Sequence, residues 1–286
     1  MKTWSRRIGY AIVALLVVML LCVGAIYWRS ASRMASVEGT PHALDTSEAN
    51  RPEGQRLANA FGCTGCHGGN LGGTVLIDAL PFAVLPAPNL TAGREGGAPT
   101  DEQWELAVRH GIGFDGRPLF IMPSRAYSRL SDAHVSSIIA WAKTLPAVQN
   151  PLPARQFGPI GRMVIALGQL PPENRRIPRD VQHLQTKPAP TAEFGYYLTR
   201  LCQDCHGEDL HGGPADQREP VPGPDLSPAG HLGSWNREQF ITALREGRRP
   251  DGTMLNDSIM PWQSLANMND IELSAVWAYL STMPAT

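Results

Sequence analysis

The sequence predicts an all-α fold: two copies of one small helical domain behind an apolar N-terminal helix. Three observations predict it. A pentapeptide occurs twice, as Cys63-Thr64-Gly65-Cys66-His67 and as Cys202-Gln203-Asp204-Cys205-His206. The residues that follow each copy align with one another as far as a shared final helix. Apolar residues recur at helical spacing, and no segment shows convincing strand alternation. The length of 286 residues suggests about two domains, and 28 glycines with 25 prolines predict many loops and short helices.

At the N-terminus, Lys2, Arg6 and Arg7 precede an uncharged run from Ile8 to Trp28, and Arg29 and Arg33 follow it. About 20 apolar residues suffice to cross a bilayer as a helix. Residues 8–28 therefore read as a membrane anchor within a segment 1–50 that adds a cytoplasmic stub and a polar tether. Basic residues on both sides give only a weak orientation signal. A cleaved signal peptide is the competing reading, although its apolar core is usually shorter.

The two copies run through the same elements. A short helix over Gly54–Phe61, or Gly195–Leu201, leads into the pentapeptide. A Pro/Gly-rich loop follows, in which Leu85-Pro-Ala-Pro-Asn-Leu-Thr91 aligns with Val221-Pro-Gly-Pro-Asp-Leu-Ser227. A middle helix opens on a capping-box pattern, Thr100 with Gln103 and Asn236 with Gln239. Its apolar stripe is Trp104, Ala107 and Val108, matched by Phe240, Ala243 and Leu244; Gly111 and Gly247 end it. The final helix starts at Ser131 or Asn269. Its stripe is Val135, Ile138, Ile139 and Ala142, matched by Leu273, Val276, Trp277 and Leu280. The domains are thus expected at 51–146 and 192–286. The Pro-rich linker 147–191 between them is expected to pack on both and to hold a short helix near Phe157–Leu170.

Cys-x-x-Cys-His reads as a c-type haem attachment site. Two thiols at this spacing add to the two vinyl groups of one haem, and the adjacent histidine binds the iron. This assigns Cys63, Cys66 and His67 to one haem c and Cys202, Cys205 and His206 to a second. Redox dithiols expect a βαβ context, and zinc ribbons place their cysteine pairs much closer together. Covalent haem attachment also places both domains outside the bacterial cytoplasm. The fifth cysteine, Cys22, lies within the apolar run and reads as a small hydrophobe.

The distal ligands are expected to be Met122 and Met260. They lie 55 and 54 positions after their histidines, each before a proline and ahead of the final helix. A thioether ligand raises the potential of haem iron. Met268 and Met283 align with Leu130 and Leu145 and read as core, while Met254 falls where the copies differ in length. Pro88 and Pro224 are placed to accept the second ring N–H of each proximal histidine. Arg109 and Arg245 match on the middle helix and read either as propionate partners or as solvated arginines. His134 aligns with Glu272 and His110 with Glu246, so both histidines are expected to face water. His211 is too near His206 to reach the other haem face, and His42, His183 and His231 have no counterpart.

These residues resemble the class I c-type cytochromes, through Cys63-x-x-Cys66-His67 with Met122 and Cys202-x-x-Cys205-His206 with Met260. The tandem is most similar to the membrane-anchored dihaem c-type cytochromes of bacteria. Each domain is also similar to the cytochrome c subunits of periplasmic alcohol, aldehyde and gluconate dehydrogenases, which usually carry three haem domains. The resemblance implies two class I cytochrome c folds and electron transfer on the periplasmic side of the inner membrane. It implies a dehydrogenase or quinol-oxidising complex as donor and an oxidase or soluble cytochrome as acceptor. On this reading the chain is not an enzyme by itself. The competing reading is a dihaem peroxidase or sulfur-compound dehydrogenase, which needs one exchangeable distal site; a haem sensor lacks a signalling domain here.

Net charge is -1, too balanced to neutralise nucleic-acid phosphates. It is unevenly spread: residues 194–286 carry net -6 and residues 147–193 net +3. The acidic second domain is either a solvated surface or a steering face for a basic partner.

Overall fold

In a computed structural model, residues 2–178, 181, 187–212 and 223–284 are described; His183 and Val221 lie outside them. The chain opens with α1 (Lys2–Met34), of which residues 6–34 are long and apolar enough to cross a membrane. The first copy follows as α2 (Arg51–Ala60), α3 (Cys63–His67), a hairpin of β1 (Thr74–Ala79) and β2 (Ala83–Ala87), α4 (Asp101–His110), α5 (Ser124–Tyr127) and α6 (Asp132–Ala142). The linker contributes β3 (Gln156–Phe157) and α7 (Pro159–Leu167). The second copy is α8 (Ala192–Leu198), α9 (Gln203–His206), α10 (Arg237–Glu246), α11 (Trp262–Leu265) and α12 (Asp270–Leu280). The described chain is mostly helical.

Local chemistry sets the helix ends. Thr100 and Gln103 cap α4 reciprocally, as do Asn236 and Gln239 on α10 and Asn269 and Glu272 on α12. Ser131 accepts from the His134 N–H at the start of α6. Such caps satisfy amides that have no partner inside the helix. Gly111 and Gly247 end α4 and α10 in the left-handed region, with φ of 65° and 68°.

Each copy is held by one helix crossing, α2 on α6 and α8 on α12. Gly54 faces the Ser137 carbonyl and Gly195 faces the Ala275 carbonyl so closely that a Cβ on either would overlap that backbone. Around the crossings lie Leu57, Val135, Ile138 and Ile139 in one copy, and Leu198, Leu273, Val276 and Leu280 in the other, all buried. Fully burying one such leucine contributes about 1.5–3 kcal/mol.

The structure corrects two expectations. A three-stranded antiparallel sheet, ordered β1-β2-β3, stands where no strand was expected. Its strands are short, β1 carries a bulge between Val75 and Ile77, and β3 comes from the linker. The alternation of Ala83, Leu85 and Ala87 towards the interior is interrupted in sequence by Pro86. The second correction concerns His134, which faces the other copy rather than water, as its counterpart Glu272 does. Glu272 is 2% exposed and ion-paired to Arg56. His134 packs between Phe61 and Tyr197, its Nδ1 2.7 Å from the Tyr197 hydroxyl. The two contacts are equivalent. Arg56 stands two residues after Gly54 as Tyr197 stands two after Gly195, and His134 and Glu272 hold the same place on α6 and α12. The copies therefore meet about a pseudo-two-fold axis.

Candidate functional site

The cysteines, histidine, proline and methionine singled out in each copy converge on one apolar cleft. The first, of about 1240 Å³ with its open mouth included, is lined by Cys63, Cys66, His67, Pro88 and Met122. The second, of about 1160 Å³, is lined by Cys202, Cys205, His206, Pro224 and Met260. The two cysteine pairs line different clefts, so they do not combine into one tetrahedral zinc site.

The backbone sets the pentapeptide. Gly62, at φ 78°, turns the chain out of α2, and a single helical turn then brings Cys63 and Cys66 to one side with His67 next to them. His67 and His206 are buried, and their Nδ1 atoms lie 2.8 Å from the carbonyl oxygens of Pro88 and Pro224 respectively. A carbonyl can only accept, so Nδ1 carries the proton and Nε2 keeps its lone pair. Burial lowers both histidine pKa values, against the opposing pull of the proline carbonyl, and so favours the neutral ring a metal needs. Burial also pushes the Cys63 and Cys202 thiols up to about 12. Their sulfurs thus sit where an uncharged thioether costs nothing and a thiolate costs much.

Met122 and Met260 occupy the same kind of turn. The prolines that follow have φ/ψ of -79°/58° and -77°/59°, the inverse γ geometry. The turn closes by Ser124 N–H donating to the Met122 carbonyl at 2.8 Å, and Trp262 N–H to that of Met260 at 2.7 Å. Ser124 Oγ further ties the first loop to the Ala107 carbonyl of α4 at 2.7 Å. Among the competing methionines, Met254 is 55% exposed and lies outside the cleft lining. Met268 and Met283 are buried, Met268 against the second cleft and Met283 outside its lining.

Arg109 and Arg245 lie outside the cleft linings; the burial of Arg109 corrects its reading as a solvated arginine, whereas Arg245 keeps 36% side-chain exposure. Arg109 is 1% exposed and donates to the Leu130 carbonyl at 2.5 Å and to Asp132 at 2.7 Å. Arg245 donates to the Ala266 carbonyl at 3.2 Å and to Asp270 at 2.6 Å. Both clamp the middle helix to the start of the final one, because their face of that helix points there.

Other residues at the site carried no duplicated signal. Tyr127 lines the first cleft and donates to the Phe61 carbonyl at 2.5 Å. Arg125, three residues past Met122, pairs with Asp204, which stands between Cys202 and Cys205. It reaches Glu208 as well, at 3.0 Å. This contact joins the methionine loop of one cleft to the pentapeptide of the other. His231 lines the second cleft from an exposed position.

The clefts suit a large planar apolar cofactor fixed by a few converging polar groups. Two cytochrome c domains, modules of electron transport built on haem iron, account for this architecture. Residues 195–284 match the cytochrome c family profile, and residues 49–141 match that of the cbb3-type cytochrome c oxidase subunit III. The chain is homologous to cytochrome subunits of sugar and alcohol dehydrogenases. It is 26% identical over 277 residues to the fructose dehydrogenase cytochrome subunit of Gluconobacter japonicus, covering 87% of this chain and 56% of that one. It is 25% identical to the cytochrome c subunits of the quinone alcohol dehydrogenases of Gluconacetobacter polyoxogenes and Komagataeibacter europaeus, covering 89% of this chain and 61% of each. The chain thus spans less than two thirds of the length of these relatives.

Proposed function

We propose that the chain relays electrons between a membrane dehydrogenase and a downstream acceptor, through two covalently held haems. Attached haem supplies a one-electron couple at its iron. Cys63 and Cys66 hold the first group, with His67 and Met122 as axial ligands. Cys202, Cys205, His206 and Met260 take the same roles in the second. What carries this reading is the duplicated set: a Nδ1-tethered histidine and a methionine on a proline-centred turn, lining one cleft in each copy. Two filled axial positions leave no site for substrate, which favours relay over a peroxidase or sulfur-compound dehydrogenase.

The same proposal sets the haem domains at 51–146 and 192–286 in tandem, joined by the linker 147–191. Residues 8–28 serve as a single-pass inner-membrane anchor with the domains in the periplasm. The dehydrogenase partner is inferred from the relatives' names. A quinol-oxidising complex is the other candidate donor, and an oxidase or a soluble cytochrome is the acceptor.

The test is spectroscopy of the purified holoprotein. Haem quantitation should give two per chain, and the methionine-to-ferric-iron charge-transfer band should account for both. Met122→Ala and Met260→Ala should each remove their share of that band and lower one potential. A high-spin haem in the unaltered protein, or an unchanged spectrum in Met260→Ala, overturns the reading.

A further inference from the structure

α7 is fastened to the end of α1 where the uncharged run stops. Arg33 Nη1 donates to the Ile165 carbonyl at 2.6 Å. The Arg162 guanidinium lies 5.0 Å above the Tyr27 ring, and its Nη1 is 3.3 Å from Ser30 Oγ. Gly161, Ile165 and Ala166 are buried on the protein side. Ile160, Met163 and Leu167, at i, i+3 and i+7, share another face and are 45%, 41% and 65% exposed. Tyr27 and Trp28, both exposed, close the uncharged run at this end of α1, Tyr27 beneath the Arg162 guanidinium of α7. Arg29, Arg33, Arg162 and Arg175 gather around the same junction.

We propose that α7 lies in the membrane surface, with Ile160, Met163 and Leu167 bedded in the acyl boundary and the arginines set against anionic lipid headgroups. This rests on the reading of α1 as a membrane anchor. An exposed apolar stripe with cations at its flank is the pattern of an interfacial helix. Aromatic residues mark that depth on spanning helices, and each arginine near an anionic surface adds about 1 kcal/mol. The occupant is lipid rather than protein because the stripe is rigidly coupled to the helix end at the level where that helix would leave the bilayer. The coupling extends inward. Ile165 packs in one cluster with Ala83, Leu85, Phe120 and Phe157, and the last three line the first cleft. α7 therefore sets the height and tilt of the first cleft over the membrane.

The test places a photo-crosslinking benzophenone side chain at Met163 in the full haem-loaded chain, in phosphatidylglycerol–phosphatidylcholine vesicles. Parallel proteins carry it at Val17 in the anchor and at exposed Asp115. Mass spectrometry should find lipid adducts at Met163 and Val17, several-fold above Asp115. Water-level yield at Met163 with lipid adducts at Val17 overturns the interfacial helix and leaves the anchor standing. A cross-linked species of twice the chain mass from Met163 assigns the stripe to a second copy and also overturns it. Lipid adducts at Met163 without any at Val17 support the interfacial helix and sink the anchor. Water-level yield at both positions sinks both.

Discussion

Arg56 grips Glu272 with two parallel hydrogen bonds, Nη1 to Oε2 at 2.6 Å and Nη2 to Oε1 at 2.7 Å. The pair joins the first helix of one copy to the last helix of the other. It also joins two tasks in one carboxylate, since Glu272 Oε2 accepts from the Asn269 N–H and completes the cap of α12. Removing Arg56 leaves a buried carboxylate short of its counter-charge. Breaking a fully buried pair costs about 3–5 kcal/mol. Arg56 keeps 23% side-chain exposure, so Arg56→Ala should cost roughly 1–3 kcal/mol. Glu272→Gln should cost less than Glu272→Ala, because the amide oxygen still caps. Chemical denaturation with a double-mutant cycle measures both.

The equivalent contact is sensitive to acid. Burial pushes the His134 pKa down to about 4, against a pull upward from Glu53. The Tyr197 hydroxyl oxygen accepts from the Ser131 N–H at 3.1 Å, which leaves its proton for Nδ1 of a neutral ring. The unfolded chain binds this proton near pH 6.5 and the folded chain only near pH 4. Stability is therefore full above about 6.5 and is lost as pH falls towards 4, by about 2 kcal/mol at pH 5. Denaturant midpoints at pH 7 and pH 5 should show this loss, and His134→Gln should flatten it.

The helix crossings admit no side chain at their centres. Gly54→Ala should push α2 off α6, and Gly195→Ala should push α8 off α12, each costing roughly 1–3 kcal/mol by overpacking. Each crossing backs one cleft, so the two variants should lose haem selectively, one from each copy. Haem quantitation after purification, with the melting temperature, checks this.

The two matched arginines should differ in stability and agree in redox behaviour. Arg109 is buried with Asp132 and has Glu105 Oε1 at 4.0 Å. Arg109→Gln should cost about 3–5 kcal/mol. Arg245 is paired to an exposed Asp270, and its loss should cost under about 1 kcal/mol. Since neither lines a cleft, Arg245→Gln should leave both haem potentials in place. A redox titration beside a thermal melt separates these effects; a shifted potential would restore the propionate reading.

What the sequence made legible is local. The capping boxes at Thr100 and Asn236, the left-handed Gly111 and the buried stripe of α6 are each written within a few neighbouring residues, and each stands in the structure. Pro88 and Pro224 were readable because duplication put them at one place in both copies. The placement of Arg109 was not, since a matched arginine signals a shared task without naming its partner. Arg56 with Glu272, Tyr197 with His134 and Arg125 with Asp204 join residues far apart in the chain. Neither member of each pair carries a periodicity or motif that points to the other. The sheet was hidden for a related reason: β3 is two residues long and exists through its partner β2.

The inserted β3 has a consequence for inheritance. Duplication is visible in the chain up to Pro146, but the folded module does not stop there. Arg155 and Phe157 form part of the first cleft's wall. Beyond them, Glu173 takes the Arg125 N–H on its carboxylate at 3.0 Å and gives its own N–H to the Leu119 carbonyl at 2.8 Å. A segment with no counterpart in the repeat has thus become masonry of one copy. Excised at the edge of the repeat, the first half would lose a side of its own haem chamber, so the two halves are no longer interchangeable parts.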